Sequence, residues 1–561
     1  MPKFWKKQVR RTKYLGQDIA ELSKRGTKHV RENVIGTLHK AHYVRRQVFW
    51  WLGAAVILLL MTGAQLLIWR DLTSTTISAR GGMFSEATIG EIRSLNPLFA
   101  TTNSEFTAIN IIHARLIGHD QSGNLSGKLA SSWTASADAR EWRVTLREGL
   151  TFHDGHPLTA EDVVFTVELM QNPLTHYLGQ SNWTNVRVSA EDDHTVIFTL
   201  NTSQASFAEQ LAFFVLPKHI LQDIPPQQLI NADFNLTGVI GAGPFMFNRF
   251  KASSTSPFIV DTRRFDNFFA GASLLNSFEI HTFSSTEDIV DALNLAAVIA
   301  SAELSPSDLG SLERRHNFRE RRSLLSSGTF LFINTAGEQT SLLGVRQAIA
   351  ASLDLTKIRM AANVTTPLDL PIITSRFHLN APTLPPRSTG AEITEPLRLL
   401  ASDREVAYVI ASQLREANIP IELTIHSEGS QALWSAIDAR DYDLLLRTIV
   451  MPSDPDPSQY YHSSQIRARN FSNFVNGSAD IYLTAANATT DLSIRRARYE
   501  EFLRVWVNEI PAIGLYQSEM LHVAAHFATT FPENAVLATP FSRFETVNRY
   551  ATLRSTRHRT P

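Results

Sequence analysis

The longest apolar run is VFWWLGAAVILLLMTGAQLLIW, Val48 to Trp69, 22 residues without a charge and closed by Arg70. At 1.5 Å per residue a helix of this length rises about 33 Å, enough for a hydrocarbon core of about 30 Å. Trp50, Trp51 and Trp69 stand at its ends, where indoles favour the membrane interface. A cleaved signal peptide has a shorter apolar region, about 7–15 residues, before a small-residue site. The pattern therefore predicts an uncleaved transmembrane anchor over 48–69, with DLTSTTISAR (71–80) as a short tether.

Beyond the tether the periodicity is that of a globular body. Glu141 to Arg147 alternates, with Trp142, Val144 and Leu146 on one face, and Thr195 to Leu200 forms another such strand. In the segment Phe152 to Met170, Asp154-Gly155 predicts a tight turn. Thr159 and Asp162 predict a capping box, and Val163, Val164, Val167 and Leu169 a helical face.

From about residue 326 strands and helices alternate. Strands are predicted at Phe330–Ile333, Leu397–Leu400, Ile421–Ile425 and Asp443–Met451. Helices are predicted at Leu342–Leu353, at Gln431–Ala439, and after Ser402 as its N-cap, with Glu405 at N3. This alternation implies a mostly parallel sheet with right-handed crossovers. Asn380 to Pro396 is a Pro-rich surface loop.

Charge refines the picture. The 561-residue chain has a net charge of −1, but residues 1–47 carry 13 Lys/Arg against 3 Asp/Glu, leaving −11 on the remainder. The positive-inside rule places the basic arm in the cytoplasm and residues 70–561 outside. A juxtamembrane arm is attracted to anionic lipid, which accounts for its charge without nucleic acid. Cysteine is absent, excluding disulfides, cysteine-ligated metals, a cysteine nucleophile and a lipidated N-terminal cysteine.

Catalytic motifs are missing. There is no GxSxG, HExxH, P-loop or GxGxxG. His153 and His156 could share an ion across their turn, but they read better as a surface pair. Asp454-Pro-Asp456-Pro has two prolines and no glycine, unlike an EF-hand calcium loop. It follows a buried strand at the carboxyl edge of a parallel sheet, where α/β folds bind ligands. A binding role fits better than acid–base catalysis, because no nucleophile or metal accompanies the pair.

Several segments together resemble one family, the extracytoplasmic solute-binding proteins of ABC importers in the peptide-, dipeptide- and nickel-binding class. They are GEIRSLNPLF (90–99), KLASSW (128–133), LREGLTFHDGHPLTAEDVVFT (146–166), LPKHIL (216–221), GAGPFMF (241–247), FINTAGE (332–338), VRQAIAASLD (345–354), YDLLL, DPDP, HSSQI (462–466) and IPAIGLY (510–516).

The resemblance implies a two-lobed α/β architecture of the type II periplasmic-binding-protein fold. Lobe I would comprise 81–325, with an inserted subdomain at about 95–225, plus a return at 505–561. Lobe II would comprise 326–504. A hinge near 325 and 505 would close the lobes over a solute. The family places its ligand-facing loop after the buried strand, which implies ligand contacts at Met451, Ser453, Asp454 and Asp456, with Leu95 and Asn96 opposite. Asp454 or Asp456 would hold the α-amino group of a peptide. Trp133, Leu146, Phe152 and Pro244 would be packing and turn residues.

The expected protein is a binding protein, not an enzyme, with no cofactor and no metal. Its expected partners are an oligopeptide or similar small solute, ABC permease subunits and membrane lipid. A solute sensor signalling to a membrane partner, and more remotely an anchored hydrolase, remain as alternatives.

Overall fold

The computed structural model describes residues 45–557, apart from 254, 257, 314, 374–378, 381 and 383–392, with side chains over 49–65 and 80–552. Most of the basic arm, residues 1–44, lies outside the described residues, as does most of the expected loop 380–396. The chain divides into two compact units, one holding residues up to Ile77 and the last eight, the other Ser78–Leu553.

The first unit contains a helix, Arg45–Thr73. Its apolar side chains from Phe49 to Met61 are exposed. Among the described residues no helix is long and apolar enough to cross a membrane.

The second unit is built on an 11-stranded sheet. Its order runs Ile421–Ile425, Leu397–Ala401, Leu444–Val450, Phe318–Ile333, Ala512–Ala525, Ala300–Ser301, Met83–Ile89, Ser277–Phe283, Phe258–Arg264 and Phe245–Lys251, with Val536–Leu537 beside Phe318–Ile333. The expected parallel core is present: Leu397–Ala401 pairs in parallel with Ile421–Ile425 and with Leu444–Val450.

The sheet as a whole is mixed, however. Phe318–Ile333 runs antiparallel to both Leu444–Val450 and Ala512–Ala525. It enters from one half of the sheet and leaves from the other, so no crossover helix returns it to the parallel direction. The residues expected as a four-residue strand at Phe330–Ile333 are the end of this 16-residue one.

A second, four-stranded antiparallel sheet lies apart, in the order Ala130–Ala135, Glu141–Leu146, Thr195–Leu200, Val186–Asp192. Trp142, Val144 and Leu146 point into its core, beside Phe152, Phe198 and Phe207. The helix Ala160–Gln171 packs on it, its start held by the Asp162 carboxylate, which accepts the Thr159 amide at 2.9 Å. Gly155 takes φ +87° in the preceding turn, a region unfavourable to a side chain.

The large sheet carries separate cores along its length. Phe84, Phe245, Phe278 and Tyr550 fill one half. In the other half, Leu399, Ile410 and Leu414 lie on one face, and Phe332, Tyr461, Phe502 and Trp506 on the opposite face. The expected return at 505 falls within the helix Leu492–Glu509, whose Phe502 and Trp506 belong to this second half. The chain reaches the first half's core at Met520. Asp403, not Ser402, caps Arg404–Glu416, accepting the Val406 amide at 3.1 Å, while the Ser402 hydroxyl donates to Glu428. Either hydroxyl or carboxylate can cap; here the Ser402 hydroxyl is taken up by Glu428, and Asp403 remains for the helix.

Three buried histidines set the acid limit of this unit. Burial pushes His113 down to about 3 and His153 down to about 4, and holds His522 well below the usual imidazole range. In the unfolded chain all three titrate near 6.5. Folded-state values below the unfolded value mean stability that is present above about pH 6.5 and lost as pH falls below it. Three excluded protons give a slope of about 4 kcal/mol per pH unit between about pH 6 and 5. Glu86 and Glu303, both raised by burial, act in the opposite direction and offset at most two of them. Urea unfolding at pH 7, 6 and 5 should show the midpoint falling with acid; equal stability at pH 7 and pH 5 contradicts this account.

Candidate functional site

The loop 451–457 leaves the carboxyl end of Leu444–Val450, on the same edge of the sheet as the ends of Leu397–Ala401 and Ile421–Ile425. It is anchored at its root, where the Met451 amide donates to Ser326 O at 2.7 Å. Met451 itself is core.

The two loop carboxylates have different environments. Asp454 is 1% exposed and meets the Arg495 guanidinium at 2.6 Å, itself equally buried. The Tyr499 hydroxyl donates to Pro455 O at 2.8 Å and accepts from Arg495 at 3.3 Å. Burial raises the Tyr499 hydroxyl well above its usual range, so it stays protonated and able to donate. Asp454 is therefore committed to a buried ion pair with a helix some forty residues along the chain. Asp456 is partly exposed. Its Oδ1 accepts from the Ser458 amide at 3.1 Å and from Asn487 Nδ2 at 2.8 Å. Of the two, Asp456 is the carboxylate that a molecule outside the loop can reach.

Ser453 and the Asp454 amide point to an element that the sequence did not single out. The Ser453 hydroxyl and the Asp454 N–H both donate to Glu209 Oε1 at 2.9 Å. Glu209 Oε2 faces His119 Nε2 at 3.0 Å. No motif surrounds Glu209, and its partners lie 90 and 244 residues away, so nothing local could have revealed it.

Leu95 and Asn96 are fully buried. The Leu95 amide donates to Asn235 O at 2.7 Å, and its carbonyl receives His113 Nε2 at 3.0 Å. Asn96 accepts the Leu98 amide at 3.0 Å and donates to Asn235 Oδ1 at 3.0 Å. These two residues hold the Asn-Pro turn and present no side-chain surface.

Beside the loop's strand lies a cavity of about 330 Å³, with Thr329, Asp403, Glu428, Arg447, Thr448 and Tyr516 in its wall. Arg447 pairs with Glu428 at 2.8 Å, and the Thr329 and Thr448 hydroxyls meet at 2.8 Å. A larger cavity of about 500 Å³ is lined only by residues from 110–270 and 544–549. Its inner cations Arg115 and Lys128 both face Glu545, and loop 451–457 forms no part of it.

His153 and His156 do not converge on an ion. His153 is tied to Gly241 N and Gly243 O, whereas His156 stacks on His219 with ring centroids 3.9 Å apart and 8° between planes. Parallel rings direct their lone pairs in parallel, so His156 and His219 cannot both face one metal. Among the described residues no group of three or more His, Asp or Glu side chains could hold a metal.

This architecture and site meet a known family. Residues 124–401 match the sequence model of the bacterial extracellular solute-binding proteins, family 5 Middle. The chain belongs to the family 5 solute-binding proteins. It is 24% identical over 486 residues to the oligopeptide-binding protein AppA of Bacillus subtilis (strain 168), covering 78% of this chain and 86% of that one. Protein XP55 of Streptomyces lividans is 25% identical over 448 residues, 73% of this chain and 79% of its own.

Among solved structures, the ABC transporter substrate-binding protein CtaP of Listeria monocytogenes superposes with a TM-score of 0.72 at 22% identity, over 84% of this chain and 99% of its own. Bacillus subtilis AppA, solved with a nonapeptide, gives 0.65 at 20%, over 85% and 100%. These likenesses show the shared mixed α/β fold. Family 5 members are substrate-binding proteins of ABC transporters, not enzymes.

The buried pair in this family 5 protein makes a stability prediction. Arg495→Met leaves the Asp454 carboxylate without its buried partner and should cost about 3–5 kcal/mol in urea unfolding. The double variant Asp454→Leu/Arg495→Met should recover most of that loss. A single-variant loss below about 1 kcal/mol would mean that the pair is not desolvated as described.

Proposed function

We propose that this protein captures a peptide-like solute between two lobes, one built on the core of Phe84 and Phe278 and the other on the cores of Leu399 and Trp506, and delivers it to the permease subunits of an ABC importer. The observation that carries the reading is the loop 451–457. It stands at the carboxyl edge of a parallel strand set, rooted by Ser326, and presents Asp456 to solvent from a rigid frame.

Peptide is the favoured solute class, because one relative is named for oligopeptide binding and a structural neighbour was solved with a nonapeptide. Backbone hydrogen bonds to an extended ligand would supply affinity by strand addition. Asp456 would take the free amine, while Asp454 organises the loop from within.

We further propose that residues 48–69 anchor the protein in the membrane. The basic arm would then lie at the cytoplasmic leaflet against anionic lipid, and the body outside. The 22-residue uncharged run and the 13-to-3 basic bias of the arm support this reading.

A ligand present at one hundred times its dissociation constant stabilises the folded state by about 2.7 kcal/mol, or about 2–4 °C in Tm for a body of this size. Synthetic di- to octapeptides should give that shift on the full chain in detergent; nickel–histidine complexes and short oligosaccharides should not. Asp456→Asn should weaken a free-amine peptide by about 1.5–3 kcal/mol and leave its N-acetylated form unaffected. Equal loss for both forms removes the amine contact.

Alkaline carbonate should leave the protein in the membrane, and external protease should release the body. Release by carbonate alone defeats the anchor.

A further inference from the structure

We infer that Glu209 is a positioning residue for solute capture: it latches the region of the four-stranded sheet onto the loop that faces the solute. The inference rests on the reading of 451–457 as the solute-facing loop. One carboxylate receives three donors from two separate segments: the Ser453 hydroxyl and Asp454 amide at 2.9 Å from the loop, and His119 Nε2 at 3.0 Å. Its side chain is only 10% exposed.

Each end of the contact is itself braced. On one side, Lys128 Nζ donates to His119 O at 3.0 Å and pairs with Glu545 at 3.1 Å. On the other, Asp454 is fixed by Arg495. A second strut runs alongside: the Ala205 amide donates to Asn487 O at 3.1 Å, and Asn487 Nδ2 donates to Asp456. The Glu545–Lys128–His119–Glu209 chain thus reaches the same loop that carries the reachable carboxylate.

The chemistry suits a reversible contact. Hydrogen bonds to an ionised acceptor are short and strong when desolvated. Glu209, the Ser453 hydroxyl and the Asp454 amide can each be rehydrated when the two regions part, so opening strands no buried charge. Asp454 itself stays paired with Arg495, an internal pair of its own region. Closure therefore aligns the loop, and departure of Glu209 should loosen it without unfolding either side.

The chain has no cysteine, so Thr202→Cys and Ala497→Cys, both exposed, place two spin labels across the contact in the full-length protein. Electron–electron double resonance without added solute should give a dominant short distance. Glu209→Ala should shift the population to longer distances, and Glu209→Gln, which keeps the volume and one acceptor oxygen, should shift it less. With a tryptic casein digest as probe, Glu209→Ala should raise the peptide off-rate about tenfold and Ser453→Ala about threefold. The double variant should be no worse than Glu209→Ala, because both act through one contact.

A circular dichroism melt of each variant separates loosening from misfolding. A Glu209→Ala distance distribution equal to wild type overturns the latch, as does a double variant whose effects multiply. If the solute-free distances depend on Glu209 but the digest neither binds nor changes them, the peptide reading fails and the latch stands.

Discussion

The pairing of two long antiparallel strands, Phe318–Ile333 and Ala512–Ala525, is the constraint on which the rest depends. Their ladder runs from Phe318 opposite Ala525 to Phe332 opposite Ala512, and it slips between Leu324 and Gly328. One end of each strand packs in the half containing Phe84 and Phe278; the other end packs with the cores around Leu399 and Trp506. A continuous ladder would make the two halves one rigid slab. The slip breaks it, and there the strand pair is bridged by a side chain, with Gln517 Nε2 donating to Leu325 O at 2.8 Å. One residue further on, Ser326 O holds the root of the loop 451–457. The loop 451–457, proposed above to face the solute, thus hangs from the least regular point of the joining ladder.

Polar groups around that loop are buried in pairs. An isolated buried charge is costly, whereas a charge with its counterion and hydrogen bonds is tolerated. Asp454 with Arg495 is the clearest case, and Glu86 with Arg543, at 2.7 Å between Oε1 and the guanidinium, is its counterpart in the other half. Neither pair lines the 330 Å³ or the 500 Å³ cavity. They hold segments distant in sequence: loop to helix in the first case, strand 83–89 to the 540–549 turn in the second. On the loop, Asp456 is the carboxylate left partly exposed at the surface of this frame. Such a frame keeps the loop's backbone amides and carbonyls oriented before a solute arrives, which reduces the ordering cost of binding.

Local signals were legible wherever one segment decides its own structure. The alternation at Trp142, Val144 and Leu146, the Asp154-Gly155 turn, the helix Gln431–Ala439 and the parallel trio Leu397–Ala401, Ile421–Ile425 and Leu444–Val450 all follow from spacing alone, because burial of one face at period 2 or 3.6 needs no knowledge of the partner. The ordered motifs from Gly90 to Tyr516 likewise sufficed to place the chain in its family. Composition excluded disulfides and thiol chemistry outright.

What the tertiary structure decided is which polar groups find each other. Asp454 and Asp456 stand two residues apart with the same chemistry, yet one is sealed against Arg495 of the helix Leu492–Glu509 and the other, held by Ser458 and Asn487, is partly open to solvent. Leu95 and Asn96 looked like cleft residues, but their carbonyl and amide groups close a turn against His113 and Asn235. Glu209 carried no signal because its partners lie 90 and 244 residues away. Sequence periodicity reports which face of an element is buried. The pairing of charges depends on the meeting of distant segments, which is set only when the cores pack.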